Sequence, residues 1–386
     1  MDLQRLINWN AAELLENAEI LEERPRRIYN RQRDPFELND DQLIRLFRLN
    51  KDLATNIINL FDELHDNPHR RSSALTSETK VLTALRFYAS GSYQMDVGYN
   101  YQLACSQPSE SRCLRDVNSL LNNPVMFNEW VHFPRSIPEL ESLRNNKSNV
   151  GISRFYTDYG FPGVCGCVDC THIAIVPPSR HDNVYPEHVY VNRKGYHSLN
   201  VQLICDSGMK IIHVNAKYPG SSHDSFIWNN SNVLPLFQTL HARGHDQFHL
   251  LGDSGYALRP WLLTPILEAA PETPESNYNS CFTRTRSIIE RCNGLIKMRF
   301  RCLLKHRVLH YIPSVAARIV NSCAVLHNIC LDANVVIPHD EEPYEELEFG
   351  MYDANVHEEP VFRRVNPDLA NARIKQARIV RNFFSN

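Results

Sequence analysis

The residue that most restricts what this chain can fold into is Asp169, set inside the apolar run GVCGCVDCTHIAIV at 163–176. Alternation places Cys165, Cys167, Asp169 and Thr171 on one side of an extended strand and Val164, Val168, Cys170 and Ala174 on the other. Both sides are apolar enough to be buried. An ionised carboxylate in such a strand is costly unless it is paired with a basic group or bound to a cation. The surrounding fold must bring positive charge to this one position.

Three more carboxylates stand in informative places. In FHLLGDSGY a short apolar strand ends at Asp253, and ligands of α/β sheets gather at the carboxyl ends of strands. Gly252 and Gly255 let the backbone approach a neighbour or ligand there. Taken alone, Asp253 also reads as the cap of a helix starting near Leu258. Asp224, in YPGSSHDSFIW, opens a helical stretch, where an N-cap or first-turn carboxylate and a metal ligand are both open readings. Glu290 lies in RTRSIIERCNGLIKMRFRCLLKHR, whose Ile288, Ile289, Cys292, Leu295 and Ile296 mark a buried side.

Beside that buried side, positions 290, 293, 297 and 301 form a stripe of Glu, Asn, Lys and Arg. Residues 284–307 hold eight Lys or Arg, among them Arg291, Lys297 and Arg301, against the single Glu290, a local charge of +7. That suits a polyanion, although a solvated basic face has the same composition. The 386-residue chain as a whole carries only −3, so local clustering and not the total supports nucleic acid as a partner. Carboxylates that hold two Mg²⁺ or Mn²⁺ ions about 3.5–4 Å apart activate a water or 3′-hydroxyl and stabilise the leaving oxygen of a phosphodiester. Hard oxygen ligands suit those ions.

Other chemistries fit less well. Cys165, Cys167, Cys170 and His172 invite a zinc reading, but alternation sends Cys170 and His172 to the face opposite Cys165 and Cys167. No G-x-S-x-G, H-E-x-x-H or Walker A pattern occurs, so serine hydrolases, zinc proteases and P-loop enzymes lack their signatures. Eleven cysteines and a charged opening, MDLQRLINWN, argue against a secretory or disulfide-built protein and for a reduced intracellular one. Apolar stretches are broken by Arg, Asp, Lys or Pro, so a soluble protein without a membrane span is expected.

The organisation is read from periodicity. Residues 1–35 form a tail with Arg24, Arg26, Arg27, Arg31 and Arg33, readable as a solvated linker, a nuclear import signal or a phosphate-seeking arm. Residues 36–130 are helical. Thr76 or Ser77 caps one helix that Gly91 closes, and Ser106 caps another, burying Leu114, Val117, Leu120 and Leu121 while Arg112 and Arg115 face outward. A helix-turn-helix unit docking on DNA and a plain helical bundle both read this way. A boundary falls near 140–150, and a domain at 150–330 begins with strands at 161–176, 198–205 and 209–218, the last two joined at Asp206-Ser207-Gly208. A helix at 222–240, a strand at 248–251, a helix at 283–301 and another at 313–330 follow. Residues 331–362 read as an acidic linker, with ten Asp or Glu and no Lys or Arg from 332 on, and 363–386 as a basic helix.

Five motifs in order then carry a resemblance. VDCTHI at 168–173, NRKGYHSLNVQ at 192–202, PGSSHDS at 219–225, LGDSGY at 251–256 and ER-x-x-G-x-x-K at 290–297 resemble the PIF/Harbinger DDE transposases and their domesticated, transposase-derived nucleases. The likeness spans about 160–330, with a weaker one at 38–125 to the family's helix-turn-helix region. It implies an α/β fold, an RNase H-like mixed sheet flanked by helices, behind a helix-turn-helix-like N-terminal domain. It implies Asp169, Asp253 and Glu290 as the catalytic metal-binding triad, Asp224 as a further divalent-metal ligand and Lys194 as a phosphate contact. The β-β-β-α-β-α order agrees with that fold independently. Cys170 stands where the family has glycine, a departure that leaves the ligand intact.

The expectation is a Mg²⁺- or Mn²⁺-dependent DNA endonuclease. The other reading is a catalytically silent domesticated transposase acting as a DNA-binding scaffold. The resemblance further implies a Myb-like DNA-binding partner and a nuclear location alongside a cytoplasmic one, and leaves room for an oligomer.

Overall fold

A computed structural model describes residues 34–64, 75–91, 106–146, 149–337 and 367–385. Nearly all of the 1–35 tail and the acidic segment from 338 to 362 lie outside the described residues.

Local capping sets the first helices. α1 (Asp40–Phe47) opens on a capping box between Asn39 and Gln42, and α2 (Lys51–Leu64) follows. α3 (Ser77–Ser90) is capped by Thr76 and closed by Gly91 at φ 60°. A Cβ at Gly91 would lie 2.8 Å from the backbone of Cys302, so glycine alone permits this approach. α4 (Gln107–Leu121) starts after Ser106, buries Leu114, Val117, Leu120 and Leu121, and leaves Arg112 and Arg115 exposed. α5 (Pro124–Trp130) falls within the helical span expected at 36–130, whereas α6 (Ile137–Arg144) was not expected, since it runs into the boundary read near 140–150. Pro124 and Pro138 occupy first turns, where a missing N–H costs nothing. A hairpin of β1 (Asn145–Asn146) and β2 (Asn149–Ser153) and then α7 (Arg154–Tyr159) lead to the main sheet.

That sheet has five strands: β3 (Val164–Ala174), β4 (Ser198–Cys205), β5 (Ile211–Pro219), β6 (His249–Leu251) and β7 (Leu262–Leu263), in the order β5-β4-β3-β6-β7. β3, β4 and β5 pair antiparallel, while β6 runs parallel to β3 and β7 parallel to β6. This is the RNase H-like mixed sheet. Asp169 stands opposite Leu203 in its middle, on the central strand.

Three expected elements differ in extent. The left-handed residue of the β4–β5 turn is Met209 (φ 62°), not Gly208, because the Asp206 carboxylate accepts from both Gly208 N and Lys210 N and wraps the turn around itself. The helix expected at 222–240 is two helices, α8 (Asp224–Asn229) and α9 (Leu234–Ala242). Pro235 lies in the first turn of the second and cannot continue the first. The long helix expected from 283 starts earlier, as α10 (Pro274–Arg299), since Thr273 caps it by accepting from Ser276 N and Pro274 sits at its start. It also stops before Arg301, which belongs to a 3-10 turn.

α11 (Pro313–Asp332) is long and apolar enough to cross a membrane by composition, yet it is mostly buried as a core helix of the fold. Leu199, Val201 and Leu203 of β4 share one core with Ile288 and Ile289 of α10, Ala324 and Val325 of α11, and Leu85 and Leu121 of the N-terminal helices. The opposite face of the sheet, through Val168, Ile204 and Leu250, packs on Leu140 of α6, Trp228 of α8 and Phe237 of α9. α12 (Pro367–Phe383) then docks on the β6–β7 side. Its buried Lys375 donates to the Pro260 carbonyl at 2.5 Å, and Gln376 donates to the Thr264 carbonyl at 2.9 Å.

One buried side chain ties these layers together. Asn328 of α11 donates to the carbonyls of Trp130 (2.6 Å) and Ile211 (2.7 Å) and accepts from Ile211 N at 2.9 Å. Asn328→Leu leaves all three backbone groups unsatisfied in the interior. It should cost about 3 kcal/mol and lower the melting temperature by roughly 5 °C, read by thermal denaturation. An unchanged melting temperature would show that the clamp contributes nothing.

Candidate metal centre

Each of three aspartates arrives on a different element. Asp169 is carried in by the centre of β3, Asp224 is the first residue of α8, and Asp253 is the second residue after β6. The parallel pairing of β3 with β6 puts Cys167 beside Leu251, so Asp253, two residues past the end of β6, comes alongside Asp169, two residues further along β3. α8 lies over β4, where Asn200 donates to Asp224 Oδ1 at 2.9 Å and to the Ser222 carbonyl at 2.8 Å. One carboxylate oxygen from each aspartate lies within 4.8 Å of the others. Among the described residues, no other group of His, Cys, Asp or Glu side chains is gathered in this way, the cysteines of β3 and His172 included.

Asp253 depends on its glycines. A Cβ on Gly252 would stand 2.9 Å from the Tyr256 ring, so only glycine lets the chain turn back beneath Asp253. Gly255 N donates to Asp253 Oδ1 at 3.0 Å, a local turn that fixes the carboxylate. No helix begins near Leu258; residues 254–261 run as turns into β7. Asp253 is therefore not a helix cap.

Electrostatics mark the cluster as incomplete. Burial pushes the Asp169 carboxyl up to about 8, with Asp253 and Asp224 adding to the rise and Arg286 opposing it. Asp253 is raised too, by burial first and then by Asp224. Asp169 Oδ2 accepts from Asn293 Nδ2 at 3.1 Å, but its Oδ1 is buried without any partner. Asn200 and Asn293, the amides that hold two of the aspartates, likewise leave Oδ1 buried and unpartnered. Anionic and neutral oxygen acceptors with no donor are what a hard divalent cation with its water shell requires, so these residues fit Mg²⁺ or Mn²⁺. The all-oxygen donor set does not fit a thiolate-bound zinc.

The remaining sequence candidates are distributed more widely. Glu290 lies outside the three-aspartate group, and its carboxylate is bonded to Arg286 one turn earlier on α10. Lys194 sits in a tight turn whose Asn192 side chain accepts from Lys194 N at 2.9 Å, and it lies with Arg193 close enough to His172 to lower that ring to about 4, behind burial itself. Lys297 donates to the His172 carbonyl at 3.2 Å. Arg291 turns away and donates to the Tyr159 hydroxyl at 2.8 Å. Arg301 leaves the stripe because α10 has ended, and it lies near Arg86. Arg112 and Arg115 stay on α4 among the N-terminal helices, Arg115 paired with Asp116 at 3.6 Å.

Sequence reading missed the roles of Asn200, Asn293 and Arg286. An asparagine inside the apolar strand SLNVQLIC was the available signal for Asn200, for the same reason that Asp169 stood out.

A family model described as DDE superfamily endonuclease matches residues 168–328. The chain is 35% identical over 327 residues to the Bos taurus protein named Putative nuclease HARBI1, covering 82% of this chain and 87% of that one. It is 25% identical over 328 residues to Protein ALP1-like of Arabidopsis thaliana, covering 80% of this chain and 73% of that one. A solved Mos1 transposase paired-end complex with left transposon end aligns at 14% identity over 76% of this chain and 91% of that one. Its TM-score of 0.18 is too low to inform the site.

The raised Asp169 carboxyl has a stability consequence. Between its ordinary value near 4 and about 8, the folded chain keeps a proton that the unfolded chain releases, so stability is lost as pH rises through that window. Asp169→Asn removes the loss. Without divalent ions, the variant should melt close to the native protein near pH 4 and several degrees above it at pH 8, by thermal denaturation across pH. A gap that shrinks as pH rises would contradict the assignment.

Proposed function

The chain belongs to the DDE superfamily endonucleases, and from that premise we propose that it is a divalent-metal-dependent DNA endonuclease whose cations are held by Asp169, Asp224 and Asp253. The observation that carries this reading is the meeting of three carboxylates from β3, α8 and the end of β6 around a buried, unpartnered Asp169 oxygen. Burying three like charges together without a cation would be strongly unfavourable. A bound divalent cation supplies polarisation of the phosphodiester and a nucleophilic water or hydroxyl at neutral pH.

The chain's own residues do the rest. Asn293 and Asn200 orient Asp169 and Asp224 by single hydrogen bonds, so that each carboxylate keeps an oxygen for the cation. Lys194, Arg193 and Lys297 stand around His172 at the same end of β3, where they are placed to bind backbone phosphates on either side of the scissile bond. His172 is held neutral by burial and those cations, and its Nδ1 is engaged with Ser198 Oγ at 3.0 Å. A nuclear site of action and a Myb-like DNA-binding partner belong to the same proposal.

Purified protein should nick supercoiled plasmid in Mg²⁺ or Mn²⁺ and not in chelator. Asp169→Ala and Asp253→Ala should each reduce nicking about a hundredfold or more, and Asp224→Ala by at least about tenfold. Nicking that survives both of the first two substitutions overturns the proposal. DNA binding that is intact in a protein never able to nick would favour the scaffold reading instead.

A further inference from the structure

α10 passes the aspartates in a fixed register. Cys167 Sγ of β3 meets the Thr285 carbonyl at 3.6 Å, and Asp169 of the same strand meets Asn293 Nδ2 at 3.1 Å. The two helical turns between these contacts carry Arg286 and Glu290 directly along the cluster. Arg286 bonds the Glu290 carboxylate, and the two side chains are withdrawn from water, with 14% and 24% of their surfaces exposed. The same guanidinium lies within electrostatic reach of Asp169 and Asp253 and is stabilised by both.

One cation thus serves carboxylates on β3, after β6 and on α10 itself. An ordinary i, i+4 pair on a solvated helix contributes little and does not require this burial. A desolvated guanidinium beside several carboxylates is instead a counter-ion, because each carboxylate would otherwise have to keep a proton or be buried with uncompensated charge.

Resting on the nuclease reading above, we infer that Arg286 is the protein's own stand-in for the metal: it neutralises Asp169 and Asp253, ties Glu290 aside, and is displaced when a divalent cation enters the cluster. Cation entry is then an exchange of one positive charge for another. Below a threshold concentration of divalent ion the site stays self-neutralised and Glu290 stays engaged. Arg286 is by this account a positioning residue for Glu290 that never touches the reacting atoms.

The test is Mn²⁺ affinity, read by calorimetry on native, Arg286→Gln, Arg286→Lys and Asp169→Asn proteins. Arg286→Gln should bind Mn²⁺ about tenfold tighter or more, since a competing positive charge beside the cluster is gone, and should melt lower than native in chelator. Arg286→Lys, which keeps the charge, should stay within about threefold of native. A purely structural ion pair would leave Mn²⁺ affinity unmoved. Equal or weaker Mn²⁺ binding by a folded Arg286→Gln protein therefore overturns the inference.

A second measurement uses the native chain and does not depend on any variant folding. Labelling of Arg286 by phenylglyoxal, mapped by peptide mass spectrometry, should rise about threefold or more on adding Mn²⁺, and unchanged labelling also overturns the inference. Failure of the nuclease reading looks different. In that case the native protein binds no Mn²⁺, or binds it equally well after Asp169→Asn, whatever Arg286 does.

Discussion

Everything at the centre of this molecule follows from placing a carboxylate on the middle strand of a buried sheet. Asp169 is 6% exposed, flanked by β4 on one side and β6 on the other, and covered by α10. At that depth water cannot solvate it, so the protein must supply a proton, a guanidinium or a metal ion. The three are in balance: burial favours the proton, Arg286 opposes it, and the two neighbouring aspartates make a divalent ion the best-matched occupant.

The architecture serves that placement. Parallel pairing of β6 with β3 delivers Asp253 beside Asp169, and the antiparallel β4 brings Asn200 up to hold Asp224 at the head of α8. The cluster therefore depends on strand order and register as much as on residue type. A one-residue slip of β6 would send Asp253 to the other face. α10 acts as a ruler along the other side, with contacts at Thr285 and Asn293 that set Arg286 and Glu290 between them. The N-terminal helices add support by sharing the core of α10 and α11. Asn122 of that layer donates to the Arg318 carbonyl at 3.1 Å and to Ser322 Oγ at 3.0 Å.

Where reading along the chain departed from the fold, local chemistry explains it. Pro138 stands just before the boundary expected near 140–150 and yet lies in the first turn of a helix, since a proline's missing donor matters only after that turn. The first part of α10, PESNYNSC, has too few apolar residues to show a period, yet Tyr278 and Cys281 bury there against partners distant in sequence. The stripe at 290, 293, 297 and 301 was expected to act as one basic ridge. Its members instead separate: Glu290 goes to Arg286, Asn293 to Asp169 and Lys297 to the His172 carbonyl, while Arg301 falls beyond the helix end.

What the sequence settled unaided is whatever depends on short-range pattern. The strand at 198–205, the Thr76 and Gly91 caps of α3, and the anomaly of a charged residue in an apolar run all stand in neighbouring residues. A caps-and-periodicity reading needs nothing more, because those preferences are energies of adjacent groups. What only the tertiary structure decided is which charges face one another: three aspartates within 4.8 Å, and a glutamate turned to its own arginine. Coulomb energy depends on distance through space and on local burial, and neither can be read until strands separated by dozens of residues have been laid side by side.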